Sequence, residues 1–376
     1  MSASTLPVEN SYAALSEDSI AHRWPRSPAK ARPEEFARGF DDRTLFYDCF
    51  WHMDGKRILL VGPPAYGIDY KGAAFTARPS GTRLTARLHA SISVMITELS
   101  RAPAGTNSID VTIAGETASL PVQPNSCADL AGRKLLFSIN KNNELAWIRE
   151  WVEYHARVHG TDAVILVDNA STQYEPRQIL ETISAVPGIL VAGVPSWPYK
   201  FGPLDKAMLE DHWARFLQIG SMSVILRRYG ELAYGLLDCD VDELAGTHSG
   251  RSMYDLAKSS KGGLVVFRGT WIEAMGQGTR HRDYTQHLAD PKVAHSPQRK
   301  WALDPSRAWV RRLSVHPYWH WIEGRALLAK SMPKDALYWH FKGINTNWKQ
   351  NRTKAPEGEL VTDELLARRF AMLDTP

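Results

Sequence analysis

Four carboxylates crowd the end of one short stretch, Gly230 to Leu244, with the sequence GELAYGLLDCDVDEL. Asp238, Asp240 and Asp242 alternate, and Glu243 follows. An apolar run of this length predicts a buried strand, and residues two apart on extended backbone point to one face. Either Asp240 with Asp242 or, two residues earlier, Asp238 with Asp240 could therefore share one cation. Hard divalent ions such as Mg²⁺ and Mn²⁺ take oxygen ligands, commonly one or two carboxylates with substrate phosphates completing the shell. An isolated D-x-D is more often a solvated turn, so the surrounding elements must decide.

Those elements change character along the chain. Residues 1–43 are rich in Ser, Ala, Pro and Arg without sustained periodicity, which predicts a loosely docked tail. Residues 44–125 alternate short apolar segments such as RILLVG and SIDVTIAG with Gly, Pro and Asn signals. Such spacing predicts a small β-rich, sandwich-like accessory domain. PVQPNSCADLAGRK reads as a linker. From residue 135 the pattern becomes strand, helix, strand. RKLLFSIN predicts a strand, and NNELAWIREWVEYHARVHG predicts a helix closed by Gly160. Ala163 to Val167 is a continuous apolar strand ending in Asp168, Asn169 and Ser171. Tyr174 to Ala185 reads as a helix, Gly188 to Val194 as a strand, and Leu204 to Arg228 as a long helix broken near Gly220. This alternation predicts an α/β fold with a mostly parallel sheet flanked by helices, where ligands bind at the carboxyl ends of the strands. Residues 353–376 predict a terminal amphipathic helix.

Composition limits the classes. The 376 residues suffice for two domains, and 44% apolar with 23% charged residues is ordinary for a globular chain. The three cysteines, Cys49, Cys127 and Cys239, form no C-x-x-C pair, which fits a reducing compartment. No apolar run approaches membrane-spanning length. A cytoplasmic protein is expected, with peripheral attachment at the inner face of the membrane left open. The net charge of +4 comes from scattered basic residues rather than a stripe, so no nucleic-acid partner is expected. Eleven of the 13 tryptophans fall between Trp147 and Trp348. Most serve as core, but flat amphipathic rings also suit sugar faces.

The Asn-x-Glu after the first strand, the helix carrying E-W-V-x-Y-H, the strand AVILVDNAST and the later DVDEL together resemble GT-A-fold glycosyltransferases of the family-2-like and family-92-like groups. The resemblance covers about residues 135–352. It implies a sugar transfer from a nucleotide-sugar donor, commonly a UDP-sugar, to a saccharide or glycolipid acceptor, as in polysaccharide or glycoconjugate synthesis. It places the donor's nucleoside against Asn142, Asn143, Glu144, Asp168, Asn169 and Ser171. It maps the metal motif onto Asp240 and Asp242, with Asp238 open, and implies Mn²⁺ or Mg²⁺ as cofactor. The first Asp would approach the ribose and the metal, and the second would coordinate the ion and diphosphate.

Family-92-like sequences carry a K-x-I-x-x-P segment and then a V-H pair, to which Lys300, Pro305, Val315 and His316 are similar with altered spacing and Trp-Ala in place of the apolar stretch; the resemblance thus implies His316 as a third metal ligand, with His320 the weaker choice. The resemblance also implies acceptor-side residues between Gly262 and Gly278, at Trp271, Glu273 and Met275, with Glu273 and Asp283 the candidate bases. In YWHFKGINTNWKQNR, basic residues at helical spacing, His340 and Lys342 first and then Lys349 and Arg352, could close on the diphosphate. Two other functions use the same features. A nucleotidyltransferase shares strand-end carboxylates and metal but usually has a Gly-rich loop where this chain has INKNNE. A non-catalytic carbohydrate-binding protein would use the tryptophans alone. The oligomeric state is not legible.

Overall fold

The computed structural model describes residues 3–203, 212–275, 278–325, 332–346 and 357–373. Its largest element is a nine-stranded mixed sheet in the order Ser4–Thr5, Val191–Gly193, Ala163–Asp168, Lys134–Asn140, Gly235–Asp238, His295–Leu303, Leu264–Ile272, Ala336–Phe341, Glu243–Thr247. The first five run parallel. His295–Leu303 is antiparallel to both its neighbours, and Leu264–Ile272 pairs parallel with Ala336–Phe341. The carboxyl ends of Ala163–Asp168, Lys134–Asn140, Gly235–Asp238, Leu264–Ile272 and Ala336–Phe341 therefore share one edge of the sheet.

The continuous apolar strands are buried on both faces, as parallel strands are. Side-chain alternation sorts them: Leu135, Phe137, Ile165 and Val167 enter one core, while Leu136, Val164 and Leu166 enter the other. The second core is closed by Leu145–His159, Pro176–Ser184, Met253–Ser259 and Glu364–Leu373. Gly160 caps the first of these helices at φ 68°, a left-handed conformation suited to glycine.

The other core contains Phe216–Val224 and the π-helical continuation Ile225–Gly230. Gly220 does not break this helix. A Cβ there would lie 2.7 Å from the Tyr47 ring, so the missing side chain permits a close crossing with residues 44–51. The amino-terminal part of the predicted long helix lies outside the described residues.

Residues 48–121 form one seven-stranded antiparallel sheet rather than a sandwich. A bridge between Phe50 and Gln123 brings its two edges together, so it curls towards a closed barrel. The inside is filled by Cys49, Ile58, Leu60, Phe75, Leu99 and Val111. Phe50, Leu59, Val61 and Ile96 point outward and join the α/β core, so the two sheets share apolar packing.

The segment read as a tail is built in. Ser4–Thr5 adds an edge strand, Leu6, Phe36 and Phe40 are buried, and Arg23 donates to Pro64 O, Asp41 O and Thr44 O. Arg228 bonds Asp48 Oδ2 at 2.9 Å, Pro124 O and Glu9 O, fastening this segment and the linker to the π-helical turn. The carboxyl-terminal helix likewise buries Leu366, Phe370 and Leu373. Among the described residues, no helix is long and apolar enough to cross a membrane.

Candidate active site

The strand Lys134–Asn140 carries Ser138 and Asn140, two residues apart and so on one face. Asn140 Nδ2 donates to Asp168 Oδ1 at 2.8 Å, and Ser138 Oγ donates to Asp240 Oδ1 at 3.0 Å. One central strand thus holds a carboxylate on each side.

At the first centre Asp168 accepts from Asn140, from Ser171 Oγ at 2.5 Å and from Ser171 N at 3.1 Å. That uses three of about four acceptor positions of a carboxylate. Asn142, at φ 56°, donates its N–H to Ser171 Oγ, and its side-chain oxygen accepts from Thr172 N at 2.7 Å. Asn143 bonds Asn140. The structure therefore joins Asn142, Asp168 and Ser171 in one hydrogen-bonded group. Asn169 is different: its Nδ2 donates to Trp197 O and Tyr199 O, so both N–H bonds serve the loop, not a ligand. Glu144 is exposed at the helix start and makes no capping bond.

At the second centre the strand ends at Asp238, the chain turns through Asp240 and Asp242, and Glu243 opens a new strand at the far edge of the sheet. There Glu243 lies opposite His340 in an antiparallel pair, and His340 lies opposite Trp271 on its other side. Residues 338–341 thus belong to a buried strand, not to the helix that the spacing predicted. Lys349 and Arg352 lie outside the described residues. His340 Nε2 is 3.1 Å from Asp242 Oδ2, Nδ1 is 3.8 Å from Glu243 Oε1, and the ring stacks on Trp271 at 4.0 Å. One donor atom each from Asp242, Glu243 and His340 lies within 4.8 Å of the others.

Glu243 Oε1 is buried without a hydrogen-bond partner, while Oε2 accepts from Asp240 N at 2.8 Å and meets Lys300 Nζ at 2.9 Å. Burial, with Asp240 and Asp242 adding to it, pushes Glu243 up to about 7 against the pull of Lys300 and His340. A buried orphan oxygen beside a second carboxylate and an imidazole fits a divalent ion. Carboxylates suit Mg²⁺ and Mn²⁺, and the imidazole favours Mn²⁺ of the two.

Three expected metal positions are revised. His316 is buried beside Arg227 and His89, away from this group, and burial followed by those neighbours' charge lowers it to about 3. His340, not His316, is the histidine beside Asp242 and Glu243. Asp238 is fully buried with both oxygens unpartnered, and burial together with Asp240 raises it to about 8 despite Lys300. It ends the strand and is not part of the Asp242, Glu243 and His340 group. Asp240 is held by Lys300 Nζ at 2.7 Å.

Of the candidate bases, Glu273 is buried and takes Lys342 Nζ at 2.7 and 2.9 Å on its two oxygens. Lys342 also lies 5.8 Å from the Trp271 ring, so the pair adjoins the His340 stack. Asp283 is exposed and accepts from Thr279 N and Arg280 N, which makes it a turn cap. Met275 is exposed nearby in sequence, and His320 bonds the backbone of Arg299.

Sequence reading missed Ser138, Asn140 and the pair Glu150–His281. Polar residues at i and i+2 closing an apolar strand were the available signal for the first two. His281 Nε2 meets Val241 O at 2.8 Å, between the two aspartates, and no local pattern marks that contact. No family model and no curated protein matches the chain.

Proposed function

We propose that this protein is a metal-dependent glycosyltransferase that takes a nucleoside-diphosphate sugar, of the UDP-sugar class, and transfers the sugar to a saccharide hydroxyl. The observation that carries this reading is the placement of His340 against Asp242 and Glu243, at the same sheet edge as Asp168. Asp242, Glu243 and His340 would hold Mn²⁺, which supplies charge neutralisation to a departing diphosphate. Asp168, with one acceptor position left, takes a ribose hydroxyl or base N–H. Ser138 and Lys300 fix Asp240 between the two centres. Trp271, backed by His340, offers a ring for the sugar or acceptor. Glu273 is the candidate base, and its Lys342 partner must move off it before the carboxylate can accept the acceptor's proton.

The test is release of nucleoside diphosphate from a panel of nucleotide sugars with Mn²⁺. Asp242→Asn and His340→Gln should each lower the rate roughly 100-fold, the loss of a few kcal/mol of charge stabilisation. Release that survives both substitutions, or glycan binding with no donor turnover under any condition, would refute the assignment.

A further inference from the structure

Lys300 is a buried cation inside a group that is also expected to bind one. It comes from His295–Leu303, the antiparallel strand inserted beside Gly235–Asp238, and its side chain is 1% exposed. Its ammonium meets Asp240 Oδ2 at 2.7 Å and Glu243 Oε2 at 2.9 Å. Burial works against the charge, but Asp238, Asp240 and Glu243 outweigh it and hold Lys300 well above an ordinary lysine. The two oxygens of Glu243 are consequently sorted. Oε2 is saturated by Lys300 and by the Asp240 N–H, while Oε1, equally buried, has no hydrogen-bond partner and faces His340.

We infer that Lys300 is a resident cation that divides the acidic turn: it holds Asp240 and one oxygen of Glu243, leaving a single divalent-ion position at Asp242, Glu243 Oε1 and His340. This rests on the metal reading above and goes beyond it, because it reassigns Asp240 from ligand to lysine partner and fixes the stoichiometry at one. A second ion on the Asp240 side would face the ammonium at contact range, where like charges in a buried site repel strongly. Lys300 is thus a charge partner of Asp240 and of one Glu243 oxygen rather than a catalytic residue.

The experiment is a Mn²⁺ titration of the full chain, with free Mn²⁺ read by its EPR signal and folding checked by circular dichroism. The wild type should bind one ion. Asp242→Asn should weaken binding by about tenfold or more. The double variant Asp240→Asn/Lys300→Met removes an equal and opposite pair, a change that buried sites commonly tolerate. It should keep one ion with a Kd within about threefold of wild type, well short of a tenfold change. Lys300→Met alone should bind Mn²⁺ more tightly. If that single variant does not fold, the double variant still decides the matter.

Two ions per wild-type chain, or a loss of about tenfold or more in the double variant, overturns the role of Lys300 while leaving a metal site standing. No Mn²⁺ bound by the wild type overturns both this inference and the glycosyltransferase reading beneath it.

Discussion

Glu150 offers the most direct way to disturb the acidic turn without touching it. This side chain lies on the buried face of Leu145–His159 and accepts from His281 N at 2.7 Å, His281 Nδ1 at 3.1 Å and Arg282 Nε at 2.5 Å. The far nitrogen of His281 reaches Val241 O, so a helix on one face of the sheet is tied to the residue between Asp240 and Asp242. Burial works against the Glu150 carboxylate, but the bonds and charge of His281 and Arg282 prevail and lower it from 4.5 to about 2.

At about 1.4 kcal/mol per pH unit, that gap is worth roughly 3 kcal/mol. Screening around Arg282, whose side chain is 30% exposed, trims it towards about 2 kcal/mol. The folded value is below the unfolded one, so the stabilisation is complete above about 4.5 and is lost as pH falls through about 2. Glu150→Gln should therefore cost about 2 kcal/mol in urea unfolding at pH 7, and the difference from wild type should shrink below pH 4.5. Because the turn loses its strut, Mn²⁺ affinity should also fall by about tenfold, as for other groups that orient metal ligands. A variant as stable as wild type at pH 7, with unchanged Mn²⁺ affinity, would refute the reasoning.

Two further outcomes follow from packing and burial. A Cβ on Gly246 would lie 2.5 Å from two ring atoms of the buried Trp339 on the paired strand, whose Nε1 is anchored to Asp363 at 2.7 Å. Gly246→Ala should thus cost about 1–3 kcal/mol by overpacking, and an unchanged melting temperature would show that the two strands can part freely. Burial lowers His316 from 6.5 to about 3, with Arg227 adding to it; the folded value lies below the unfolded one, so its contribution is present above about 6.5 and is lost as pH falls towards 3. His316→Leu should accordingly lose less stability than wild type between pH 7 and pH 5 in urea melts, and a parallel loss would contradict a neutral buried imidazole.

Much of the fold was legible because it is local. The alternation of apolar strands with helices from residue 135, the run at 163–167, the helix closed by Gly160 and the acidic turn all follow from periodicity and capping within a few residues. The amino-terminal segment was not legible for the same reason. Leu6, Phe36 and Phe40 are single anchors without a period, and the edge strand at residues 4–5 is too short to announce itself. The barrel-like sheet was legible as strands, but its outer face carries apolar residues that only the shared core explains.

The candidate site divides the same way. Sequence alone determined that carboxylates gather at a strand end and that Asp168 closes another, since alternation and strand termination are properties of the local chain. Only the tertiary structure decided which cations and which histidine meet them. Lys300 reaches Asp240 from 60 residues away, and His340 reaches Asp242 across 98. His316 and His340 both follow apolar or aromatic neighbours, and nothing local distinguishes them. The difference is strand order and register: an antiparallel strand inserted beside Gly235–Asp238 delivers Lys300, and the pairing of Glu243 with His340 delivers the imidazole. Such pairings are long-range choices made by the whole sheet burying two faces at once, and no window of sequence contains both partners.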